Sequence, residues 1–281
     1  MPLILVAGTG AGAGATTVAV GLAHRLAAAG RSVRLERLAG DPRAVADAAV
    51  FASLDIAASS GAPVEAARIT NTTDAVTVVE APAGIDASAL AQQLGARLVL
   101  VGRDATGAPA GATVILNHTA EIGALRLPED RLLAAPTVGR LIEASGAAVL
   151  VRSAEGEAAV CENLVIGAIS HDSADTYFQR FARRAVITRA ERVDIGLAAM
   201  LTGSECLILT GGHEPSPYLL DRASSTRQTT LLLAPGGTVE TMRDVEGTFG
   251  TASFSGEAKV ERIADLMRGV LDAAALDALA Q

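Results

Sequence analysis

The chain has 281 residues, enough for two domains of ordinary size that each bury a core. Half of it is apolar, yet no apolar run approaches the roughly 18 to 20 residues that span a bilayer. A formal charge of −8 and a pI near 5.1, with five Phe, two Tyr and no Trp, exclude the cationic footprint and the stacking platforms of a general nucleic-acid binder.

The first residues, Met-Pro-Leu-Ile-Leu-Val, have no basic leader and run straight into a glycine-rich loop. They are read as a first strand and not as a signal peptide, and a cytoplasmic protein is expected. Residues 8 to 17 then read Gly8, Thr9, Gly10, Ala11, Gly12, Ala13, Gly14, Ala15, Thr16, Thr17, with a helix predicted over Thr16 to Ala29. Strand, glycine turn and helix stand in the order of a phosphate cradle, in which backbone N–H groups and a helix N-terminus face the anion. Ala15 occupies the place of the phosphate-binding lysine. Thr16 keeps the hydroxyl that such loops present to magnesium. The plainer alternative is that the four glycines only make a tight turn in an Ala/Gly-rich chain. Lys259 is the only lysine in the sequence, so no lysine serves the first domain.

Strands are predicted next over Ser32 to Arg37, Ala75 to Glu80, Arg97 to Val101, Ala112 to Leu116 and Ala147 to Val151. Helices are predicted over Pro42 to Leu54, Ala87 to Leu94 and Thr137 to Ala144. This alternation indicates an α/β fold with a parallel sheet covered by helices. The polar interruption 153–157 is taken as a boundary, giving domains 1–153 and 158–281. The second series has strands at Leu164 to Ile169, Ala185 to Thr188, Cys206 to Leu209 and Leu231 to Ala234. Its helices are Ser173 to Arg183, Val193 to Thr202, Pro217 to Ala223, Val239 to Phe249 and Ala258 to Leu271, the last prolonged through Asp272 to Gln281. Cys161 and Cys206 lie in apolar surroundings without metal-ligand spacing and read as buried thiols.

Ligands of a parallel sheet gather beyond the carboxyl ends of its strands. Asp41 after the second strand, Glu80 ending the third and Asn117 ending Val114-Ile115-Leu116 therefore share a rim with the loop. Thr16, Asp41 and Glu80 form a candidate magnesium set, since magnesium takes few carboxylates together with phosphate oxygens and water. Asp41 before Pro42 equally suits a helix cap. In the second half, Thr210-Gly211-Gly212 follows a strand and offers another anion nest, with Arg192 as a charge and Asp194 to orient it. The alternative there is a plain turn, with Arg192 paired to Asp194 or Glu191. His171-Asp172 and His213-Glu214 read as solvated loop residues.

The loop, Arg37 after the second strand, the segment Val78-Val79-Glu80-Ala81-Pro82-Ala83-Gly84 and the strand ending at Asn117 together resemble the dethiobiotin synthetase-type P-loop fold. This resemblance covers about the first 150 residues and implies ATP or another nucleotide with magnesium, with Glu80 assisting the metal. The family's two lysines correspond to Ala15 and Arg37, which removes the cations that phosphoryl transfer uses. The second half is similar to the DRTGG domain, through residues 162–170, Glu191-Arg192-Val193-Asp194-Ile195 and 207–212. That module sits beside P-loop domains in the amino-terminal, non-catalytic region of some phosphotransacetylases, and residues 127–130 and 133–138 resemble the join in those enzymes.

The expected architecture is thus a lysine-less P-loop domain followed by a smaller α/β, DRTGG-like domain. The expected function is a regulatory or scaffold protein binding a nucleotide or another phosphorylated small molecule. A homodimer is implied by the resemblance, and neither nucleic acid nor membrane is an expected partner. The other readings are an ATP-dependent, magnesium-requiring ligase of the dethiobiotin synthetase type, with Arg37 in place of the lysines, and a purely structural partner of an acyl-phosphate-metabolising enzyme.

Overall fold

A computed structural model describes residues 2–71, 74–168 and 171–281, with the side chains of 171–173 left out. The chain divides into two units, residues 1–133 with 259–281, and residues 134–258. The division drawn from the sequence falls later, after 153, because the polar stretch 153–157 is a surface turn within the second unit. The final residues were also assigned to the second domain, whereas their contacts are with the first, so Lys259 belongs to the first unit and the reading that no lysine serves that domain is corrected.

The first unit is built on strands β1 (Leu3–Gly8), β2 (Val33–Arg37), β3 (Val76–Glu80), β4 (Arg97–Gly102), β5 (Thr113–Thr119) and β6 (Arg126–Pro128), in the order β2-β3-β1-β4-β5-β6. All pairs are parallel. β1, β3 and β4 are apolar on both faces, as strands covered from both sides must be. On one face Leu3, Leu5, Ala7, Val79, Leu98 and Leu100 pack with Leu90 and Ala91 of α3 (Ala87–Leu94). Alternating residues Ile4, Val6, Val78 and Val99 point the other way and are fully buried. The helix after β1, α1 (Ala15–Ala28), is buried along most of its length, and Ile263 and Met267 of α10 (Glu257–Val270) pack over its Gly21.

The first helix after β2, α2 (Ala44–Ala52), starts two residues later than the sequence reading, because Asp41 takes the Arg43 N–H into a turn instead of opening the helix. The C-terminal segment does not prolong α10. Asp272 accepts the Ala275 N–H at 2.8 Å and caps a separate helix, α11 (Ala273–Leu279). Strand β6 was missed, being only three residues long.

The second unit pairs β7 (Ala148–Val151), β11 (Thr230–Leu233), β10 (Cys206–Thr210), β9 (Arg184–Arg189) and β8 (Asn163–Ile166) in that order. β8 to β11 run parallel, and β7, which the sequence reading placed in the first sheet, is antiparallel to β11. One face packs on α6 (His171–Phe178), α7 (Val193–Leu201) and α8 (Pro217–Thr226) through Phe178, Ile195 and Leu219. The other packs on α5 (Val138–Ser145) and α9 (Thr238–Glu246) through Leu141 and Val245, with both cysteines in that layer. Burial pushes both thiols up from their ordinary range, so they are inert core groups. The predicted end of β8 at Ile169, and Ser170 of the DRTGG-like stretch, lie outside the described residues. No helix among the described residues is long and apolar enough to cross a membrane.

Candidate functional site

The loop between β1 and α1 is a nest of donors. Thr9 N–H is taken by Val101 O at 2.9 Å and Ala13 N–H by Gly10 O at 3.2 Å. Among the described residues, no acceptor is found for the N–H groups of Gly10, Gly12, Gly14, Ala15 or Thr16. The helix begins at Gly14 without a side-chain cap and without an acidic residue in its own first turn, so none of its own side chains compensates its positive end. Thr17 lies in the same turn.

Gly14 is fixed in this role by two constraints. Its φ of 92° is left-handed, and an added Cβ would collide with Asn117 Nδ2. Asn117 reaches the loop from β5, donating Nδ2–H to Ala13 O at 2.8 Å, while its Oδ1 accepts from His118 N–H at 2.9 Å. Its role is therefore to hold the nest open from one flank. On the other flank, Gly8 and Thr9 line a cavity of about 420 Å³ with Leu98, Leu100, Asp86 and Asp104. It is bounded by Leu98, Leu100 and Val114 on the face of β4 and β5 and by the segments 84–88 and 104–109 that follow β3 and β4.

Behind the loop stands a buried ionic cluster. Thr16 donates its hydroxyl proton to Glu80 Oε1 at 2.7 Å, and Glu80 Oε2 has no hydrogen bond, with Arg37 Nε 3.5 Å away. Arg37 is buried and spends its donors on Leu38 O (2.7 Å), Asp41 and Asp47 (3.4 Å). Burial alone would lower its pKa, but Glu80, Asp41 and Asp47 raise it on balance, so the guanidinium is a fixed counter-ion. Burial also dominates at Glu80, pushing its carboxyl up to about 7 against the pull of Arg37 and the Thr16 hydroxyl. At Asp41 the opposing hydrogen bonds win, and its pKa falls.

This geometry separates the three residues of the candidate magnesium set. Thr16 and Glu80 are adjacent, and Glu80 offers an orphaned oxygen. Asp41 is saturated, with Oδ1 accepting from Arg43 N–H at 2.9 Å and Oδ2 from Ala83 N–H at 3.1 Å and from Arg37. Its task is to fasten the segment after β2 to the segment after β3. Among the described residues, no three His, Cys, Asp or Glu side chains gather as a metal cage. Asp47 was missed in the sequence; the available signal was a lone acid inside the apolar run of α2, where it is 3% exposed.

The second glycine loop has a different construction. Gly211 (φ 94°) and Gly212 (φ 65°) make the turn, but their N–H groups donate to Gly236 O at 2.8 Å and Ala234 O at 3.2 Å. Thr210 is buried, with its hydroxyl between Thr188 O (3.2 Å) and Thr238 Oγ1 (2.8 Å). The donors expected to face an anion are thus used inside the fold. Arg192 and Asp194 form a two-pronged pair, Nε to Oδ1 at 2.9 Å and Nη2 to Oδ2 at 2.8 Å, which holds the Asp194 carboxyl down at about 2. His213 is exposed, with Nε2 3.9 Å from Glu191 Oε1.

The chain is similar to the crystal structure of the CBS and DRTGG domains of the regulatory region of Clostridium perfringens pyrophosphatase, complexed with its activator, diadenosine tetraphosphate. The likeness is 18% in identity with a TM-score of 0.36, and it covers 45% of this chain and 54% of that one. The chain therefore matches about half the length of that structure. Residues 140–248 match the family model of the DRTGG domain, and the second α/β unit carries that domain.

Proposed function

We propose that this chain is a regulatory or scaffold protein that binds a nucleotide or another phosphorylated metabolite at residues 8–17, without efficient turnover. The observation that carries the reading is the contrast between the two glycine loops. The N–H groups of Gly10, Gly12, Gly14, Ala15 and Thr16 have no acceptor among the described residues, whereas those of Gly211 and Gly212 are consumed. Unpaired donors at an uncapped helix start favour an anion. Magnesium, arriving with the phosphates, would be held by the Thr16 hydroxyl and Glu80 Oε2 and would supply the positive charge that Ala15 does not.

The ligase reading requires Arg37 to act on the transferring group. Its donors already meet Leu38 O, Asp41 and Asp47, so it fits a structural counter-ion better than a catalytic cation. A DRTGG domain in the same chain fits a regulatory role.

The test is thermal unfolding with ATP, ADP, AMP, cyclic dinucleotides, acetyl phosphate and diadenosine tetraphosphate, each with and without magnesium. A ligand at 100 times its dissociation constant stabilises by roughly 2.7 kcal/mol. A shift weakened in Gly14→Ala and losing its magnesium dependence in Thr16→Ala supports the proposal. A shift unchanged in both variants, or none with any ligand, refutes it.

A further inference from the structure

Resting on the phosphate reading of residues 8–17, we infer that Lys259 of α10 serves this loop as its phosphate-binding lysine, in the role that Ala15 cannot fill. Lys259 comes from the other end of the sequence, yet it belongs to the first unit. There α10 lies along α1 in the same sense. Ile263 and Met267 meet Gly21, and one turn further on Arg25 Nη2 donates to Leu271 O at 3.1 Å. Stepping back one turn from Ile263 brings Lys259 level with the first turn of α1, on the face of α10 that Ile263 shares. Long side chains lean toward the amino end of their helix, which here is the end where residues 8–17 lie. The sheet gives the same register. Leu125 N–H, just before β6, donates to Val270 O at 2.9 Å, and Arg262 Nε donates to Asp130 Oδ2, just past β6, at 2.7 Å. The first turns of α10 therefore stand at the carboxyl rim of the parallel strands, where the loop leaves β1 and Asn117 of β5 reaches it.

Lys259 is 1% exposed, and no hydrogen bond or ion pair of its amine is found among the described residues. Burial lowers its pKa to about 8, with no carboxylate opposing the shift. Such a helix position suits Leu or Met, because a buried charge without a counter-ion costs free energy. The loop has the complementary deficit, N–H groups at Gly10, Gly12, Gly14, Ala15 and Thr16 without acceptors. One bound phosphate meets both demands, giving the amine its counter-ion and the amides their acceptors. In loops of this kind the lysine comes from the loop itself; here a neighbouring helix brings it.

Lys259 is the only lysine, so ¹³C-lysine labelling gives the full chain a single side-chain Cε resonance. Pyrophosphate and ADP, each with magnesium, shift that resonance, and the shift saturates at the dissociation constant read by calorimetry. Lys259→Met keeps the length and removes the charge. It weakens both ligands by about tenfold or more, while the unliganded variant is at least as stable in urea as the wild type. Adding Ala15→Lys to Lys259→Met returns the charge to the loop and restores affinity, which a merely structural role for Lys259 does not predict. A resonance that stays in place at ligand saturation, or full affinity in Lys259→Met, overturns the assignment and leaves the phosphate site standing. Absence of binding by both ligands, in the wild type and in Ala15→Lys, overturns the phosphate reading along with it.

Discussion

Glu80 makes the stability of the first unit pH-dependent in a direction opposite to that of an ordinary paired carboxylate. Its folded pKa is raised from 4.5 to about 7, chiefly by burial. The native state therefore holds this proton more tightly than the unfolded chain. The contribution is fully present below the unfolded value and is lost as pH rises through the folded one, so stability falls between about pH 4.5 and 7 and levels above about 8. A rise of about 2.5 units at 1.36 kcal/mol per unit puts the loss at roughly 3 kcal/mol. Glu80→Gln mimics the protonated side chain, keeps an acceptor for the Thr16 hydroxyl, and removes this slope. The assay is urea unfolding of both proteins at steps from pH 5 to 8.5. Far-ultraviolet circular dichroism follows the whole chain, while Tyr177 and Tyr218, the only tyrosines, report on the second unit alone. The variant and the wild type match near pH 5, and the variant is more stable at pH 8 by up to that amount. Equal slopes in the two proteins refute the burial argument and the ionic cluster built on it.

Two further substitutions test the local construction. Gly14→Ala forces a Cβ into Asn117 at a left-handed φ and destabilises the first unit by about 1 to 3 kcal/mol in the same urea assay, with phosphate affinity falling alongside. Asp272→Ala removes the cap of α11 and costs about 1 kcal/mol, seen as faster hydrogen exchange in residues 273–279 with phosphate binding unchanged.

The architecture was legible wherever local pattern determines it. Continuous apolar runs such as Leu98 to Val101 became strands buried on both faces, and Gly8 to Thr17 became the turn and helix start that the glycines dictate. Legibility ended where a residue's role depends on distant partners. Asp41 and Arg37 were read as ligand-facing, but the fold turns them on each other, because a buried guanidinium must find acceptors. Asp47 is part of the same demand and was invisible without the fold. Thr210, Gly211 and Gly212 carry the signature of an anion nest, yet the loop after β11 supplies carbonyls at Ala234 and Gly236 that use the nest up. Ala147 to Val151 read correctly as a strand, but nothing local in it says which sheet it joins.

The measurement that bears most directly on the central claim is amide hydrogen exchange of the full chain, with and without saturating magnesium and ADP or pyrophosphate. The account predicts slowed exchange at residues 10, 12 and 14–16, whose N–H groups gain phosphate acceptors, and unchanged exchange at 211 and 212, whose acceptors are already in place. Protection at 211 and 212 with none at 10–16 would contradict it and move the ligand to the DRTGG domain.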